Sequence, residues 1–226
     1  GDFQASIYDL YNLVRAEFYT DQTFTDYIEG TDMIFNGEGK GADRMGDYSV
    51  ALNPTGSAAL THWTNFYKII SESNTILSRL PASQVAAADQ ALVEAQARFF
   101  RALAYRSLAY LYGGVPLILE EVTSPKTDFT RASISEVYEQ AIADLSFAAA
   151  NLPDITNVQD GEISNLAADH LLAEVYLANG EYDSSIMAAS VVINNSNMAL
   201  MTNRFGTRTD IPANVYWDLF QRGNQN

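Results

Sequence analysis

Apolar residues recur at helical spacing along most of the chain. Between residues 4 and 19, Ile7, Leu10, Val14 and Phe18 lie three or four positions apart, the spacing of one face of an α-helix. The same spacing marks residues 58–80, 85–112 and 133–152, and two further helices over 164–196. Ser133 and Glu136 form a capping-box pattern where the fourth of these segments begins. The sequence therefore predicts a mainly helical protein.

The longest predicted helix, 85–112, carries apolar residues on more than one face. Such a helix is packed by neighbours on both sides. Gly113 is placed to end it in a left-handed conformation, and Pro116 prevents the helix from resuming. The following letters, VPLILEE, predict an extended segment.

The last two helices carry a repeat signal. They are broken at Asn179-Gly180, and their small and aromatic residues match positions of a tetratricopeptide repeat. The matching residues are Leu172, Ala173, Tyr176, Gly180, Tyr182, Ser185 and Ala189. With the other helices, this match predicts an all-α fold: a tetratricopeptide-like helical-repeat scaffold, or α-solenoid, with long loops and a few short strands.

Two stretches lose the helical period. Residues 20–57 are predicted to form a long, ordered, aromatic-containing loop. Residues 197–226 are irregular, and VYWDLF at 215–220 predicts a short strand. Trp63 and Trp217, the two tryptophans, are both expected in the core.

Composition narrows the classes of partner. The 226 residues, 47% of them hydrophobic, are enough for one good core, and the formal net charge is −15. That charge disfavours nucleic acid and anionic membrane surfaces, whereas neutral sugars are not penalised. The absence of cysteine excludes disulfides and thiolate chemistry.

Catalytic and metal-binding motifs find little support. The sequence has no phosphate-binding Gly-Lys loop, dinucleotide fingerprint or Gly-x-Ser-x-Gly elbow. Glu120 and Glu121 would point to opposite faces of an extended segment, which argues against a glycosidase pair. His170 and Glu174 are four apart on a helix, but two side chains do not make a metal site. We therefore expect no enzyme activity, no cofactor and no metal.

Charged and aromatic residues offer two further interpretations. Arg98, Arg101 and Arg106 are expected to pair with carboxylates between stacked helices, and Glu94 is placed to pair with Arg98. In the 20–57 loop, aromatic rings and hydrogen-bonding groups occur together, as sugar binding requires. The candidate ligand-binding residues are Tyr27, Asp32, Phe35, Asn36, Arg44 and Tyr48.

The stretch EAQARFFRALAYRSLAYLYGGVPLILEE resembles the signature helix of the SusD/RagB family of Bacteroidetes surface nutrient-binding lipoproteins. The matching residues are Glu94, Ala97, Arg98, Phe99, Arg101, Ala102, Tyr105, Leu108, Leu111, Tyr112, Gly113, Val115, Pro116 and Leu117. WTNFYKIISESNTIL resembles the family's preceding helix through Trp63, Tyr67, Ile70 and Asn74. Two later segments also resemble the family in order and spacing: RASISEVYEQAIADLSFAAANLP and DLFQRGNQN.

The resemblance implies non-enzymatic binding of glycan or oligosaccharide nutrients at the outer-membrane surface. The implied partner is a SusC-like TonB-dependent transporter, with membrane attachment through an N-terminal lipid anchor absent from this sequence. It also implies that residues 1–226 are the N-terminal helical-repeat part of a protein about twice as long, with 197–226 beginning its less regular second half. The alternatives are a tetratricopeptide-type protein-interaction scaffold and an all-helical glycoside hydrolase.

Overall fold

The computed structural model of the chain describes residues 2–28, 53, 56–159, 161–207 and 209–219. Eight α-helices lie within them, and no strand does. The long helices are α1 (Asp2–Phe18), α3 (Ser57–Arg79), α4 (Ala87–Tyr112), α5 (Ile134–Asn151), α6 (Asn165–Ala178) and α7 (Tyr182–Ile193); the short ones are α2 (Asp21–Ile28) and α8 (Val215–Leu219). Short 3₁₀ turns occupy Leu80–Ala82 and Ile155–Asn157. The six long helices confirm the all-α prediction.

The long helices stack as three antiparallel pairs. α1 packs on α3, α4 on α5, and α6 on α7, while contacts from α3 to α4 and from α5 to α6 join the pairs into one stack. α4 is thus covered by α3 and α5 on its two sides, which confirms that this helix is packed from more than one direction. The core is continuous through the stack, and its largest fully buried members include Phe66, Ile70, Phe100, Tyr105, Leu108 and Leu145.

Local chemistry sets the helix ends. The Ser133 hydroxyl accepts from the backbone N–H of Glu136, and the Glu136 carboxylate accepts from the N–H of Ser133, so the predicted capping box is confirmed. Gly113 ends α4 at φ +72° and its N–H donates to the Ala109 carbonyl. Its ψ of −136° lies outside the left-handed helical region that the sequence predicts. Gly180, at φ +81°, separates α6 from α7 as predicted.

Gly114 is required for a reason that the sequence does not reveal. A Cβ atom there would lie 2.2 Å from the carbonyl oxygen of Ala132. The backbones on either side of this contact are also tied together, because the N–H of Ala132 donates to the Val115 carbonyl over 3.0 Å. This close approach brings the chain back to start α5 beside the end of α4.

Two local predictions are wrong. The start of the predicted 20–57 loop is helix α2, and 215–219 is helix α8 instead of a strand. α2 spans only eight residues, so Phe24, Tyr27 and Ile28, which do lie at helical spacing, are too few to mark a helix within a polar stretch. α8 begins because the Asn214 side chain accepts from the N–H of Trp217 over 3.0 Å, an N-terminal cap.

The two tryptophans differ in placement. Trp63 packs against the core on one side and is partly exposed on the other. Trp217 is half-buried on α8, outside the main core, with the Arg204 guanidinium 5.7 Å from its ring centre. The prediction that Trp217 lies in the core is therefore wrong, because α8 follows the irregular stretch instead of joining the helix stack.

Candidate functional site

The extended segment after α4, residues 115–122, lies on α3 and α4 without forming a strand with any described residue. Side chains take the place of a partner strand. The Tyr105 hydroxyl donates to the Ile118 carbonyl over 2.8 Å and accepts from the Ile118 N–H over 2.7 Å. Asn74 donates to the same carbonyl over 2.7 Å, and the Tyr67 hydroxyl donates to the Pro116 carbonyl over 2.8 Å. Each of these backbone groups therefore has a hydrogen-bond partner in a side chain of α3 or α4.

A buried arginine stabilises this arrangement. Arg101 donates twice to the Asp144 carboxylate of α5, with Nε and Nη2 each 2.8 Å from an oxygen. Its Nη1 donates to the Asn74 side chain over 2.9 Å and to the Leu119 carbonyl over 3.4 Å. Because Asn74 also holds Ile118, one guanidinium links α4, α5, α3 and the extended segment.

The other two arginines of α4 also bind carboxylates. Arg98 pairs with Glu94 on its own helix, with Nη2 and Oε1 2.6 Å apart, and with Asp144 at 3.3 Å. Arg106 donates to Glu174 of α6 over 2.5 Å. The predicted pairing between stacked helices is therefore confirmed for all three arginines.

The extended segment and α3 together form a groove, which we call the α3 groove. It consists of two adjoining cavities of about 330 and 420 Å³ that share Ile118, Glu120, Val122 and Phe129. Trp63 and Tyr67 form one wall, with ring centres 5.0 Å apart, and Tyr112 supports Trp63 edge-on at 5.1 Å. Phe129, 40% exposed, lines both cavities. Aromatic side chains therefore line the α3 groove at both of its cavities.

Polar groups lie along the same trough. Glu120 lines both cavities, Ser71 lines the α3 side, and Thr123, Ser124 and Lys126 line the other. Burial raises the pKa of Tyr67, so its hydroxyl stays protonated and bound to Pro116. Glu121, beside Glu120 in sequence, forms an ion pair with Arg79, and that guanidinium lowers the pKa of the Glu121 carboxyl.

A second groove of about 700 Å³ lies between α1, α2 and α4, and we call it the α1–α4 groove. Its walls are mostly apolar and aromatic, and two of its tyrosines, Tyr19 and Tyr110, are largely exposed. Arg106 lies beneath Tyr110, with its guanidinium carbon 5.0 Å from the ring centre. The grooves are thus distinct, since their linings share no residue.

Of the predicted ligand-binding residues, only Tyr27 lies within the described part of the chain. Its ring lines the α1–α4 groove and stacks on Phe18 at 5.5 Å, while its hydroxyl donates to Glu17 over 2.5 Å. Burial and that hydrogen bond raise the pKa of Tyr27. Asp32, Phe35, Asn36, Arg44 and Tyr48 lie outside the described residues, so their contacts remain predictions.

Sequence reasoning missed the α3 groove. Trp63 and Tyr67 are four residues apart on one helix, which the sequence shows, but this spacing equally indicates core. What makes them a groove wall is the segment 115–122 lying beside them, about 50 residues away in sequence. A signal was available in Tyr67, Asn74 and Tyr105, whose polar ends on otherwise apolar faces predict hydrogen bonds to a nearby backbone.

Metal binding has no built site in the described part of the chain. No group of three or more histidine, aspartate and glutamate side chains gathers there in a way that would hold an ion. His170 Nε2 is 3.9 Å from Glu174, whose carboxylate also binds Arg106. Across the same residues, no helix is long and apolar enough to cross a membrane.

Comparison with known proteins identifies the family. Residues 2–177 match the SusD-like family model described as starch-binding and associating with the outer membrane. This chain belongs to the SusD-like family. SusD-like protein P2 of Formosa agariphila is 29% identical over 199 residues, which are 86% of this chain and 39% of that protein.

Solved structures agree on the fold. A SusD superfamily protein from Bacteroides vulgatus superposes with a TM-score of 0.80 at 20% identity, covering 89% of this chain and 44% of that one. A laminarin-binding SusD-like protein superposes with a TM-score of 0.72 at 26% identity, covering 84% of this chain and 42% of that one. The SusD-like chain thus spans less than half the length of these relatives.

Proposed function

We propose that this SusD-like chain binds a neutral glycan or oligosaccharide at the bacterial cell surface, without catalysis, and that the α3 groove takes part in binding. The observation that carries the proposal is that three aromatic side chains, Trp63, Tyr67 and Phe129, line one groove. Sugar rings present C–H faces that pack on such rings, and their hydroxyls need hydrogen-bonding groups at the rim. Glu120 and Ser71 supply those groups.

The charge of the chain favours an uncharged ligand. A formal net charge of −15 repels polyanionic glycans, while neutral sugars experience no such repulsion. The laminarin-binding relative, similar in fold and sequence, makes a neutral glucan a sensible first ligand to test. We also propose that the predicted ligand-binding residues of the 20–57 loop contribute to binding the same glycan.

The proposal extends to the protein's cellular setting. The family description associates its members with the outer membrane, which supports a cell-surface location. We place the SusD-like chain beside a SusC-like TonB-dependent transporter, held to the membrane by an N-terminal lipid anchor in the full-length protein. Because the glycan would be held by several weak contacts, it could pass to the transporter without a covalent step.

We propose that the chain does not hydrolyse its ligand, because too few carboxylates in the α3 groove are available to a bound sugar. A glycosidase uses two carboxyl groups about 5 to 10 Å apart on either side of the bond that it cleaves. In the α3 groove Glu120 is free to meet a ligand, whereas Glu121 is engaged by Arg79. A sugar bound here would therefore meet one available carboxylate among the described lining residues.

Affinity electrophoresis against neutral polysaccharides, laminarin among them, tests the proposal. Phe129→Ala and Trp63→Ala each remove one aromatic face, and each is expected to weaken binding about tenfold, the usual worth of one aromatic contact. Tyr110→Ala, an exposed tyrosine of the α1–α4 groove, is the matched control and should leave migration unchanged. If Phe129→Ala has the same melting temperature as the wild type, weaker binding is due to the lost contact and not to unfolding.

The alternative of a protein-interaction scaffold is supported by one observation, the large apolar α1–α4 groove with its exposed Tyr19 and Tyr110. The same variants discriminate the two functions. If Tyr110→Ala weakens glycan migration and Phe129→Ala does not, the glycan site lies in the α1–α4 groove. If no polysaccharide retards the wild-type chain, the glycan proposal fails for this part of the protein and the scaffold function gains support.

A further inference from the structure

The two cavities of the α3 groove differ in the chemistry of their walls. The smaller, of about 330 Å³, is lined by Trp63, Tyr67 and Phe129, and we call it the aromatic cavity. The larger, of about 420 Å³, has Phe129 as the single aromatic residue among its described lining residues, and we call it the polar cavity. Half of its lining side chains are polar or charged: Glu120, Glu121, Thr123, Ser124 and Lys126. The two cavities therefore offer a ligand different kinds of contact.

The aromatic cavity offers few hydrogen-bonding groups, because the fold already uses most of them. The Asn74 side chain and the Tyr67 hydroxyl both donate to the backbone of the extended segment, over 2.7 and 2.8 Å. The exposed polar side chains of this cavity are Ser71 and Glu120. A sugar unit placed here would be bound mainly by packing of its C–H groups on the aromatic rings.

The polar cavity offers the opposite balance. Thr123, Ser124 and Lys126 are all exposed, and their hydroxyl and ammonium groups can form hydrogen bonds with sugar hydroxyls. The Lys126 ammonium lies 5.4 Å from the ring centre of Phe129, which places this cation close to the residue that lines both cavities. A sugar unit placed here would be bound mainly through hydrogen bonds.

We propose that the α3 groove binds two consecutive units of one glycan chain, with one unit in each cavity, so that its ligand is an oligosaccharide or polysaccharide and not a monosaccharide. This inference rests on the proposed function of the groove. Small-molecule sites span about 300–1,000 Å³, and each cavity alone falls within that range. The cavities adjoin at four shared residues, so one chain can extend from one cavity to the other: Ile118, Glu120, Val122 and Phe129.

Neither cavity alone is expected to bind a sugar tightly, because each supplies mainly one kind of weak contact. An aromatic contact is worth about tenfold in affinity. A hydrogen bond to a sugar hydroxyl replaces one to water, so its net contribution is small. When two units are covalently linked, binding of the first raises the effective concentration of the second at its cavity. The contributions of the two cavities therefore multiply for two linked units, and a single unit cannot obtain both.

A series of ligands of increasing chain length tests the proposal. NMR titration of the wild-type chain with glucose, laminaribiose, laminaritriose and laminarihexaose measures dissociation constants into the millimolar range. These probes are fragments of laminarin, the glucan chosen above as the first ligand. We expect laminaribiose to bind about tenfold more tightly than glucose. Longer chains should add only the statistical advantage of having more ways to place two units in the two cavities.

Variants of the polar cavity show whether a unit lies there. The double variant Thr123→Ala, Lys126→Ala changes two exposed side chains that line only the polar cavity. It should weaken laminaribiose binding about tenfold and leave glucose, which we expect in the aromatic cavity, unchanged. Thr127→Ala is the matched control, since Thr127 is exposed in the same segment and is outside the lining of both cavities. Its affinities should equal those of the wild type.

The outcomes separate this inference from the proposed function. If glucose and laminarihexaose bind with equal affinity, or if the double variant binds laminaribiose as the wild type does, the two-unit site is overturned and glycan binding stands. A further tenfold gain with each unit beyond the second would also overturn it, because more than two units would then be bound. If neither laminarihexaose nor laminarin binds, the proposed function fails for this glucan, and the inference fails with it.

Discussion

Two buried polar clusters hold two segments that lie outside the helix pairs, and each is centred on a different side chain. Arg101 joins Asp144 and Asn74 to fix the extended segment 115–122, while His62 joins Glu17 and Asp26 to fix α2. Arginine presents a planar fork that binds both oxygens of one carboxylate, whereas the imidazole offers one ring nitrogen to each of two carboxyl groups. The extended segment, and the α3 groove with it, is therefore held by a bidentate buried ion pair, and the α2 wall of the α1–α4 groove by single contacts at the ring nitrogens.

The clusters also differ in their number of carboxyl groups. The Arg101 fork binds both oxygens of one buried carboxylate, and a neutral amide takes a further N–H. His62 lies between two carboxyl groups, with one facing each ring nitrogen. Removing Arg101 leaves a buried carboxylate with little compensation, whereas removing one carboxyl group from the His62 cluster leaves the imidazole in contact with the other. The variants described below test this difference.

Arg101→Met should have the largest effect. It leaves Asp144, whose carboxylate is fully buried, with only the 3.3 Å contact from Arg98, and it removes the link to the extended segment. We expect a loss of about 3–5 kcal/mol in the free energy of unfolding, measured by urea denaturation. Arg15→Met, on the exposed end of α1, is the matched control and should change it little.

The double variant Arg101→Met, Asp144→Leu tests the cause of that loss. If the unpaired carboxylate is responsible, the second substitution recovers most of the stability, because an apolar pair can replace a buried ion pair at little cost. A double variant as unstable as the single one would mean that the hydrogen bonds to Asn74 and Leu119 carry the effect instead.

How much of this could be read from the sequence depends on the range of each interaction. Apolar periodicity predicts the six long helices, and short-range chemistry predicts the Ser133 capping box and the stop after Tyr112. The pairing of the arginines of α4 is predictable because buried guanidinium groups need carboxylates. That Arg101 pairs with Asp144, 43 residues away, is not predictable, since it depends on how α5 returns along α4.

The candidate site was harder to predict for the same reason. The sequence of segment 115–122 is typical of a β-strand. Its backbone nevertheless forms hydrogen bonds with the side chains of Tyr67, Asn74 and Tyr105 instead of with another strand. α2 is too short for its apolar spacing to stand out, and the contacts of Asp26 and Tyr27 with His62 join residues about 35 positions apart. Both features arise from polar contacts between distant segments, which no local pattern encodes.

Glu17→Gln should have the second largest effect. Glu17 accepts from Tyr27 and His62 through one oxygen and from Asn65 through the other, so its replacement weakens three contacts. Asp26 still faces the other ring nitrogen of His62, and we therefore expect a loss of about 2 kcal/mol in the free energy of unfolding, less than for Arg101→Met. A loss equal to that of Arg101→Met would show that the number of carboxyl groups does not distinguish the clusters.

Asn74→Ala comes next, at about 1.5 kcal/mol, because it removes a neutral partner from Arg101 and from the Ile118 carbonyl. Tyr105→Phe is the informative companion, since it removes the other side-chain partner of Ile118 and leaves Arg101 untouched. Hydrogen exchange at residues 117–121 should rise in both variants. If it rises only in Asn74→Ala, Arg101 and not the direct hydrogen bonds holds the segment.

Arg79→Ala should have the smallest effect, because it removes an exposed ion pair instead of a buried one. Arg79 and Glu121 form a short ion pair, with Nη2 and Oε1 2.5 Å apart, and this pair also holds the extended segment. The Arg79 side chain is 64% exposed, so water and salt screen the attraction in a way that they cannot at Arg101. We expect the melting temperature and the exchange of residues 117–121 to match wild type in 0.15 M salt. A clear loss of protection there would mean that the segment is held from its exposed end, and the buried Arg101 cluster would no longer explain the position of the α3 groove.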